Sequence, residues 1–345
     1  MRISEIGEFG LIDRIKKDTI VKPQDVLLGI GDDCAAYYGT SSDKVALATS
    51  DMLVENIHFI LSAGSPRQLG KKAMAVNLSD VAAMGGIPRH TLISLGISPD
   101  TSVEFIEELA EGIKEEARLY EVNLIGGDTV RSPLGLIINI ALIGEVESDL
   151  IVKRSTARPG ELIMVTGDLG GSAAGLILLL EEKKCSLVPP PLAQEVKSIH
   201  LSPTPRLKEG RVMAREKVAT SMIDISDGLA SDLTQIGKAS GVGAMIYAGK
   251  VPILPAAKRV GELLGVDPLS LALYGGEDYE LLFTTLPEKA DSIIKLIKEK
   301  LGTKVSIIGE IRDKEQGLKI KNLSGEIVDL QPKGYNHFSS FSTRG

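Results

Sequence analysis

The sequence lacks several features, and each absence excludes a class of protein. It has no tryptophan and only 4% aromatic residues, so its cores must be built from aliphatic side chains. Its two cysteines, Cys34 and Cys185, are too few for a disulfide framework, and we expect both to be reduced. Its net charge is −7, whereas a nucleic-acid-binding surface needs an excess of basic residues. We therefore expect no nucleic-acid partner.

Membrane and export signals are missing as well. The sequence has no run of about 18 apolar residues that could span a bilayer. The segment from Met1 to Lys17 contains Glu5, Glu8 and Asp13 instead of the basic start and apolar run of a signal peptide. We therefore expect no membrane association and a cytoplasmic location.

The two common glycine-rich nucleotide-binding motifs are also absent. Residues 167–175 form a glycine-rich loop between a predicted strand and a predicted helix, where backbone N–H groups can bind an anion. The glycine spacing of this loop differs from G-x-G-x-x-G, and G-x-x-x-x-G-K-[ST] does not occur. Rossmann-type and P-loop nucleotide binding are therefore not favoured, and the role of the loop stays open.

The composition and the hydrophobic periodicity predict a two-domain α+β protein. The chain has 345 residues, 43% of them hydrophobic, which is enough to build two cores. Short apolar strands alternate with helical patterns such as 66–85 and 103–120. We predict an N-terminal α+β domain over residues 1–148 and a C-terminal α+β domain over residues 149–345. A polar, proline-rich crossing is predicted for 188–205.

Six short acidic motifs are distributed along the chain, and most of them lack a basic neighbour. Two carboxylates ~4 Å apart repel each other by about 4 kcal/mol at an effective dielectric constant of ~20, so a fold that gathers them needs cations. Oxygen ligands of this kind suit Mg²⁺, which proteins commonly bind together with phosphate groups. The motifs therefore predict metal-assisted phosphate chemistry. They are 31–33 (Gly-Asp-Asp), 49–51 (Thr-Ser-Asp), 77–80 (Asn-Leu-Ser-Asp), 126–128 (Gly-Gly-Asp), 224–228 (Asp-Ile-Ser-Asp-Gly) and 275–278 (Gly-Gly-Glu-Asp).

Several of these motifs also have a purely structural interpretation, which the sequence leaves open. Asp32 and Asp33 can form an ordinary turn, or one of them can enter a metal site while the other braces the loop. The motif at 49–51 follows a predicted strand and can be a helix N-cap or an Asx turn instead of a metal site. Asp227 can likewise be the N-cap of the helix predicted to begin near Leu229.

The remaining acidic motifs favour a functional interpretation more strongly. Asn77 and Asp80 share one face of a largely apolar helix, where an unpaired carboxylate is costly. Asp128 follows a glycine pair, which permits close approach of the backbone to a phosphate or a base. Glu277 also follows a glycine pair, in a predicted tight turn that presents its carboxylate. Together these positions point to one site.

Two basic side chains are candidates for the same site. Arg154 lies just before the second domain and can clamp a phosphate group, although it can equally form a surface ion pair. His58 lies seven residues after Asp51 and can line the same cleft, although a single histidine can also be structural.

The ordered set of motifs resembles the thiamine-monophosphate kinase family, and the match runs from Gly7 to Phe338. The wider superfamily is that of aminoimidazole ribonucleotide synthetase and selenophosphate synthetase. His58, the Gly-Gly-Glu-Asp-Tyr run and the closing Gly-Tyr-Asn-His-Phe favour the thiamine enzymes over these relatives. The segments that carry the resemblance are GEFGLI, GIGDDCA, TSDMLVENIHF, AVNLSDVAAMGG, IGGDT, DISDGL, GGEDYELLFT and GYNHF.

The resemblance implies an aminoimidazole ribonucleotide synthetase-like fold and a homodimer whose N-terminal sheets form a β-barrel. It implies ATP-dependent phosphorylation of thiamine phosphate to thiamine diphosphate by direct transfer with several Mg²⁺ ions. The implied metal ligands are Asp33, Thr49, Ser50, Asp51, Asp80, Asp128, Asp224 and Asp227. The implied ATP contacts are Gly127, Asp128, Arg154 and Ser226. The implied thiamine-phosphate contacts are His58, Glu277 and Tyr335.

One position departs slightly from the family pattern, and two other functions stay open. The chain has Thr49-Ser50 where family members vary between Ser-Thr and Thr-Thr, but both hydroxyl groups are kept. The first alternative is a cyclising enzyme like aminoimidazole ribonucleotide synthetase, which would act on a formyl-amide. The second is a non-catalytic relative that binds ATP and Mg²⁺ without releasing ADP. For the kinase we expect no catalytic general base, because the accepting phosphate oxygen is already largely ionised.

Overall fold

The computed structural model describes Gly10, Ile12, Ile20, and residues 22–39 and 43–334 of the chain. The first sheet has six strands, and within the described residues it is open, with β1 and β5 at its edges. Its strands are β1 (Val26–Leu28), β2 (Ala35–Tyr38), β3 (Lys44–Val54), β4 (Ile87–Ile97), β5 (Asn123–Arg131) and β6 (Ile137–Glu147), in the order β1-β2-β3-β6-β4-β5.

Helices α1 (Pro66–Ala83) and α2 (Val103–Leu119) pack against each other beside this sheet, and α1 contacts β3 and β6. Helix α1 begins with a capping box, in which Ser65 and Gln68 satisfy each other's backbone N–H groups. The two helices approach closely because they meet at glycines. A Cβ atom on Gly70 would lie 2.1 Å from the carbonyl oxygen of Leu109, and one on Gly112 would lie 2.0 Å from that of Arg67.

The second sheet has seven strands and is flanked by the remaining helices. The strands are β7 (Leu162–Thr166), β8 (Ser221–Asp224), β9 (Gly243–Tyr247), β10 (Leu281–Thr285), β11 (Val305–Arg312), β12 (Leu318–Lys321) and β13 (Ile327–Asp329), in the order β13-β12-β9-β11-β7-β10-β8. The helices are α3 (Gly171–Leu180), α4 (Glu182–Cys185), α5 (Pro190–Leu201), α6 (Leu207–Arg215), α7 (Leu229–Ser240), α8 (Pro255–Leu264), α9 (Pro268–Tyr274) and α10 (Pro287–Leu301).

Helix α1 lies between the two sheets and joins the two halves of the chain. It contacts β3 and β6 in the first sheet and β8 in the second. One hydrophobic cluster contains Leu47 of β3, Leu78 of α1, and Met222 and Phe283 of the second sheet, all of them fully buried. As a result, side chains on α1 can meet side chains from both sheets.

Several predicted elements have different bounds in the structure. Strand β3 pairs with β6 over its full length, from Lys44 opposite Glu147 to Val54 opposite Ile137, so the motif at 49–51 lies inside a strand and not after one. The motif at 126–128 likewise lies inside β5. In both cases pairing with a neighbouring strand extends the element through polar residues, because the backbone groups that face that neighbour gain hydrogen-bond partners.

The predicted crossing at 188–205 is largely helix α5, whose two N-terminal prolines occupy the first helical turn, where they are tolerated. Helix α3 begins at Gly171, several residues earlier than predicted. Strand β6 ends at Glu147 and β7 opens the second sheet at Leu162, and the domain division at residue 148 stays a prediction. Within the described ranges, no helix combines the length and apolar character needed to cross a bilayer.

The close packing of α1 and α2 gives a first testable prediction. Gly112→Ala places a methyl group against the Arg67 carbonyl, and we expect it to lower the free energy of unfolding by about 1–3 kcal/mol, the usual cost of overpacking. The control is Gly39→Ala, since a Cβ atom there has no heavy atom of the described residues within 4 Å. Urea denaturation measures both variants, and equal unfolding midpoints would contradict the packing described here.

Candidate functional site

Three carboxylates from distant parts of the chain meet where α1 passes between the sheets. Asp33 comes from the loop between β1 and β2, Asp80 from α1 and Asp224 from the end of β8. One oxygen atom from each lies within 4.8 Å of the others, and we call these three residues the acidic cluster. Ligands of an octahedral Mg²⁺ ion sit about 2.1 Å from the metal and hence up to ~4.2 Å apart, so the cluster suits one divalent cation after a small adjustment.

Polar groups from β3 and α1 surround the acidic cluster. The Thr49 hydroxyl donates a short hydrogen bond to Asp80, and the Ser79 hydroxyl donates to Oδ2 of Asp224 at 2.6 Å. The backbone N–H of Asp51 donates to Oδ1 of Asn77 at 3.1 Å. Alternate residues of a strand share a face, so Thr49 and Asp51 both point from β3 toward α1. Thr49 and Asp51, two more of the predicted ligands, therefore lie next to the acidic cluster.

Three carboxyl groups of this site, those of Asp51, Asp80 and Asp224, have a raised pKa because they are buried close to other carboxylates. Burial and then the charge of Asp33 raise the pKa of Asp224 to about 8. Burial also raises the pKa of Asp51 to about 6, although a hydrogen bond with Asp80 lowers it in part. Burial and the neighbouring Asp51, Asp224 and Asp33 charges raise the pKa of Asp80 well above its usual range. A bound divalent cation would favour the ionised forms, so its binding would release protons.

Arg154 is the cation that the structure places directly on the cluster. Its Nε atom donates to Oδ2 of Asp33 at 2.9 Å and its Nη2 atom donates to Oδ1 at 2.8 Å, a two-point ion pair. The backbone N–H of Arg154 donates to Oδ2 of Asp32 at 3.1 Å. Asp33 therefore faces the site while Asp32 braces the loop. Arg154 is mostly buried, at 19% side-chain exposure, so it does not form a surface ion pair.

Two predicted metal ligands lie on the other face of the first sheet. Ser50 points away from α1, and its hydroxyl donates to Oδ1 of Asn139 at 3.1 Å. Asp128 is exposed on β5, where it lies opposite Ser94 of β4. Strands β6 and β4 separate β5 from β3, so three strand spacings, about 14 Å in all, lie between Asp128 and Asp51. Within the described chain, neither Ser50 nor Asp128 joins the acidic cluster.

Gly127 has a packing reason to be glycine. A Cβ atom at this position would lie 1.7 Å from the carbonyl oxygen of Ile93, so β4 and β5 can pair there only without a side chain. Close approach of the backbone to a phosphate or a base, which the sequence suggested, is therefore not needed to explain this residue. Its predicted contact with ATP stays a prediction.

The loop from β8 to α7 is held by a residue that the sequence did not reveal. Oδ2 of Asp232 accepts hydrogen bonds from the backbone N–H groups of Asp227 at 3.2 Å and Gly228 at 3.1 Å. Helix α7 has Gly228 as its N-cap, so the interpretation of Asp227 as an N-cap is wrong. Ser226 meets the neighbouring loop, since its carbonyl accepts the N–H of Glu277 at 2.7 Å. The predicted roles of Asp227 and Ser226 stay predictions.

A second group of polar side chains surrounds Glu277, beside the acidic cluster. Lys72 donates to Oε2 of Glu277 at 2.9 Å. Burial acts to raise the pKa of Glu277, but Lys72, followed by His200 and His58, more than offsets burial and the pKa is lowered. His58 accepts the Val54 N–H on Nδ1 at 3.0 Å. His58 therefore lies near enough to Glu277 to affect its pKa, whereas Tyr335 lies outside the described residues, and the predicted contacts of all three with the acceptor stay predictions.

The glycine-rich loop before α3 binds a carboxyl group that belongs to the protein itself. The N–H of Gly170 donates to Oδ2 of Asp278 at 2.7 Å, and that of Ser172 donates to Oδ1 at 3.2 Å. The carboxylate of Asp278 therefore occupies the positive end of the helix, where an external phosphate could have bound. The second acid of the Gly-Gly-Glu-Asp motif was the available signal for this contact.

The raised pKa values predict how stability depends on pH when divalent cations are removed. The carboxyl pKa of Asp224 is about 8 in the folded chain, against roughly 3.9 when unfolded, so the folded state keeps a proton that the unfolded state has lost. Stability must then fall as the pH rises toward 8. In EDTA, we expect the free energy of unfolding to decrease between pH 6.5 and 8, with Asp224 contributing on the order of 1 kcal/mol.

The matched variant is Asp224→Asn, which has no proton to lose and should make this dependence shallower; the remaining slope comes from groups such as Asp32 and Asp278, whose pKa burial raises to about 7. The window lies above the titration of His200, whose pKa burial lowers to about 4. Mg²⁺ should restore more stability at pH 8 than at pH 6.5, because it binds the ionised carboxylates. Urea denaturation at the two pH values provides the measurement, and an unchanged slope in the variant would contradict this account of the cluster.

Comparison with known proteins identifies the family. Residues 31–146 match the family model for the N-terminal domain of AIR synthase related proteins, and residues 158–321 match the model for the C-terminal domain. The thiamine-monophosphate kinase of Bacillus subtilis is 39% identical over 338 residues, which cover 96% of this chain and all of that protein. That of Aquifex aeolicus is 37% identical over 342 residues, which cover 98% of this chain and 100% of that protein.

Solved structures agree with these matches. The structure of AaThiL complexed with AMPPCP and TMP superposes with a TM-score of 0.83 at 37% identity and covers 98% of this chain and 99% of its own. The hydrogenase maturation protein HypE in complex with ATP, at 21% identity, 92% and 93% coverage and a TM-score of 0.69, shares the fold alone. The resemblance predicted from the motifs is confirmed, as is the two-domain AIR synthase-like fold. The chain belongs to the thiamine-monophosphate kinase family of the AIR synthase related proteins.

Proposed function

We propose that this chain is a kinase that transfers the γ-phosphoryl group of ATP to thiamine phosphate and forms thiamine diphosphate. The observation that carries the proposal is the acidic cluster, in a chain whose relatives of 37–39% identity over almost its full length are thiamine-monophosphate kinases. The AaThiL complex with AMPPCP, an ATP analogue, and TMP supports ATP and thiamine phosphate as the two substrates.

The acidic cluster is the proposed metal site. Its donors, with those of Thr49 and Asp51, are carboxylate and hydroxyl oxygens without nitrogen or sulfur, a set that suits Mg²⁺. When bound, Mg²⁺ would supply charge neutralisation for the transferred and accepting phosphates. The chain itself places Asp33, Asp80 and Asp224 and excludes water around them by burial. Several Mg²⁺ ions, with Ser50, Asp128 and Asp227 as further ligands, remain part of the proposal.

Charge explains why the site needs carboxylates and metals more than a catalytic base. ATP carries about four negative charges and thiamine phosphate about two near neutral pH. Phosphoryl transfer depends mainly on positioning and charge neutralisation. The accepting oxygen belongs to a phosphate whose second pKa is about 6, so it is already largely ionised and needs no base. Arg154 would hold Asp33 and contact ATP, while His58 and Glu277 would bind the acceptor.

The proposed homodimer rests on the open face of the first sheet. On the side away from α1, Met52 is 53% exposed and Leu92 is 37% exposed, and every residue of β5 is exposed. Exposed apolar side chains such as these on an open sheet face favour a partner. Two of these sheets packed together would form the β-barrel that the family resemblance implies. Ser50 and Asp128 lie on this same face. The cytoplasmic location is likewise a proposal.

The activity gives a direct test. Incubation with ATP, Mg²⁺ and thiamine phosphate should yield thiamine diphosphate by mass spectrometry and ADP in equal amount. Asp80→Asn and Asp224→Asn should each lower kcat at least about 100-fold, because a metal supplies several kcal/mol and each 1.36 kcal/mol is a factor of ten. Asp149→Asn is the control, since that carboxylate pairs with Lys217 at the surface.

The same assay separates the alternatives. ADP formed with a formyl-amide acceptor but not with thiamine phosphate would favour the cyclising enzyme. ATP binding without ADP release for any acceptor would favour a non-catalytic relative. Full activity of Asp80→Asn in saturating Mg²⁺ would argue against the proposed metal site.

The dimer gives a separate test. The chain has a mass of 36.8 kDa, and we expect a species of twice that mass in analytical ultracentrifugation. Leu92→Glu places a charge in the open face and should shift the protein to the monomer. Leu180→Glu, at an exposed position at the end of α3, should leave the dimer intact. A monomeric wild-type protein would refute this part of the proposal.

A further inference from the structure

A buried lysine that the proposed mechanism does not use holds the carboxylate of Glu277. Lys72 lies on α1, and its side chain is only 3% exposed. Its Nζ atom is 2.9 Å from Oε2 of Glu277. A lysine is seldom buried unless it is paired, so this position has a specific reason to carry a charge. The family motifs did not include it.

His200 of α5 completes the contact. Its Nε2 atom is 3.3 Å from Nζ of Lys72, and its Nδ1 atom lies 3.3 Å from Oε2 of Glu277 and 2.9 Å from the Ser172 hydroxyl. Burial and then the Lys72 charge lower the pKa of His200, so its ring is neutral near pH 7. Lys72 can only donate, so Nε2 accepts from it and the ring proton sits on Nδ1, facing Glu277 and Ser172.

This arrangement fixes one oxygen of Glu277 and leaves the other available. Lys72 and His200 both face Oε2, while Oε1 accepts no hydrogen bond from the residues that the structure describes. The Glu277 side chain is 23% exposed, so a ligand can reach it. Because Lys72 neutralises the carboxylate, Glu277 offers an oriented hydrogen-bond acceptor and not an uncompensated negative charge.

The backbone around Glu277 is built to hold this orientation. Glu277 and Tyr279 have φ values of +63° and +50°, a left-handed conformation that residues other than glycine seldom adopt. The N–H of Glu277 donates to the carbonyl of Ser226 at 2.7 Å, and that of Tyr279 donates to the carbonyl of Ile225 at 2.9 Å. Strained residues persist where the surroundings fix them, and they are concentrated at functional sites.

We propose that Lys72 is a positioning residue for the acceptor: together with neutral His200, it anchors Oε2 of Glu277 and thereby presents Oε1 to an N–H donor of the bound acceptor molecule. The inference rests on the proposed kinase function. Lys72 acts through Glu277: among the described residues, its Nζ atom contacts Glu277 and His200 and no member of the acidic cluster. Its loss should therefore affect binding of the acceptor and not binding of ATP.

The test compares two neighbouring lysines. Lys72→Met should raise the KM for thiamine phosphate at least tenfold and leave the KM for ATP within twofold of the wild-type value. Lys71→Met is the control, because Lys71 lies one position earlier on α1 and pairs with Glu115, at 34% exposure. It should leave both KM values within twofold. Equal KM values for thiamine phosphate in wild type and Lys72→Met would overturn the inference.

A double variant separates positioning from folding. Lys72→Met leaves a buried carboxylate without its partner, which can prevent folding. Lys72→Met/Glu277→Gln removes that charge, and it is compared with Glu277→Gln alone. If Lys72 acts through Glu277, the two should have the same KM for thiamine phosphate within twofold. A further tenfold increase in the double variant would show an independent role and overturn the inference.

The wild-type protein separates this inference from the function on which it rests. If the wild-type chain forms no thiamine diphosphate from thiamine phosphate, the proposed function fails and the inference fails with it. If the wild type is active and the Lys72 variants behave like the Lys71 control, only the inference fails.

Discussion

Mutual repulsion among buried carboxylates is the constraint on which the rest of this structure depends. Burial and neighbouring carboxylates, Asp33 among them, raise the pKa of Asp51, Asp80 and Asp224, and Arg154 is the one cation paired directly with the group in the described part of the chain. Natural folds seldom concentrate acids in this way without a ligand, because the free energy of unfolding decreases with each ionised group. The arrangement is therefore understandable as a binding site in which the ligands supply the positive charge that the protein lacks.

Helix α1 is the element that makes this concentration possible. It packs between two sheets, so a side chain on one of its faces meets β3, and a side chain a few positions away meets β8. Ser79 contacts Asp224, Asp80 contacts Thr49, and Lys72 contacts Glu277 across this junction. The two halves of the chain therefore share one core and one site, which neither sheet could complete alone.

The sequence predicted the two-domain α+β organisation and several residues that the structure brings together. Both its successes and its failures have physical reasons. Periodicity located α1, α2 and α7 because their apolar faces are regular. It failed at α5, whose prolines resemble a loop, and at β3 and β5, where pairing with neighbours carries a strand through polar residues.

The acidic motifs correctly predicted that Asp33, Asp80 and Asp224 converge. No local pattern distinguished the faces of β3, so Ser50 was grouped with Thr49 and Asp51. Lys72, His200 and Asp232 had no motif at all, because their roles arise only from contacts distant in sequence.

The continuity of α1 also has a consequence for the size of molecule that fits. Lys72 and Asp80 are eight residues apart on this unbroken helix, which at 1.5 Å per residue is an axial distance of about 12 Å. In the proposed binding mode, an acceptor whose ring end meets Glu277 would need a length of this order for its phosphate to reach the acidic cluster. The fixed spacing along α1 would then select acceptors by their length as well as by their chemical groups.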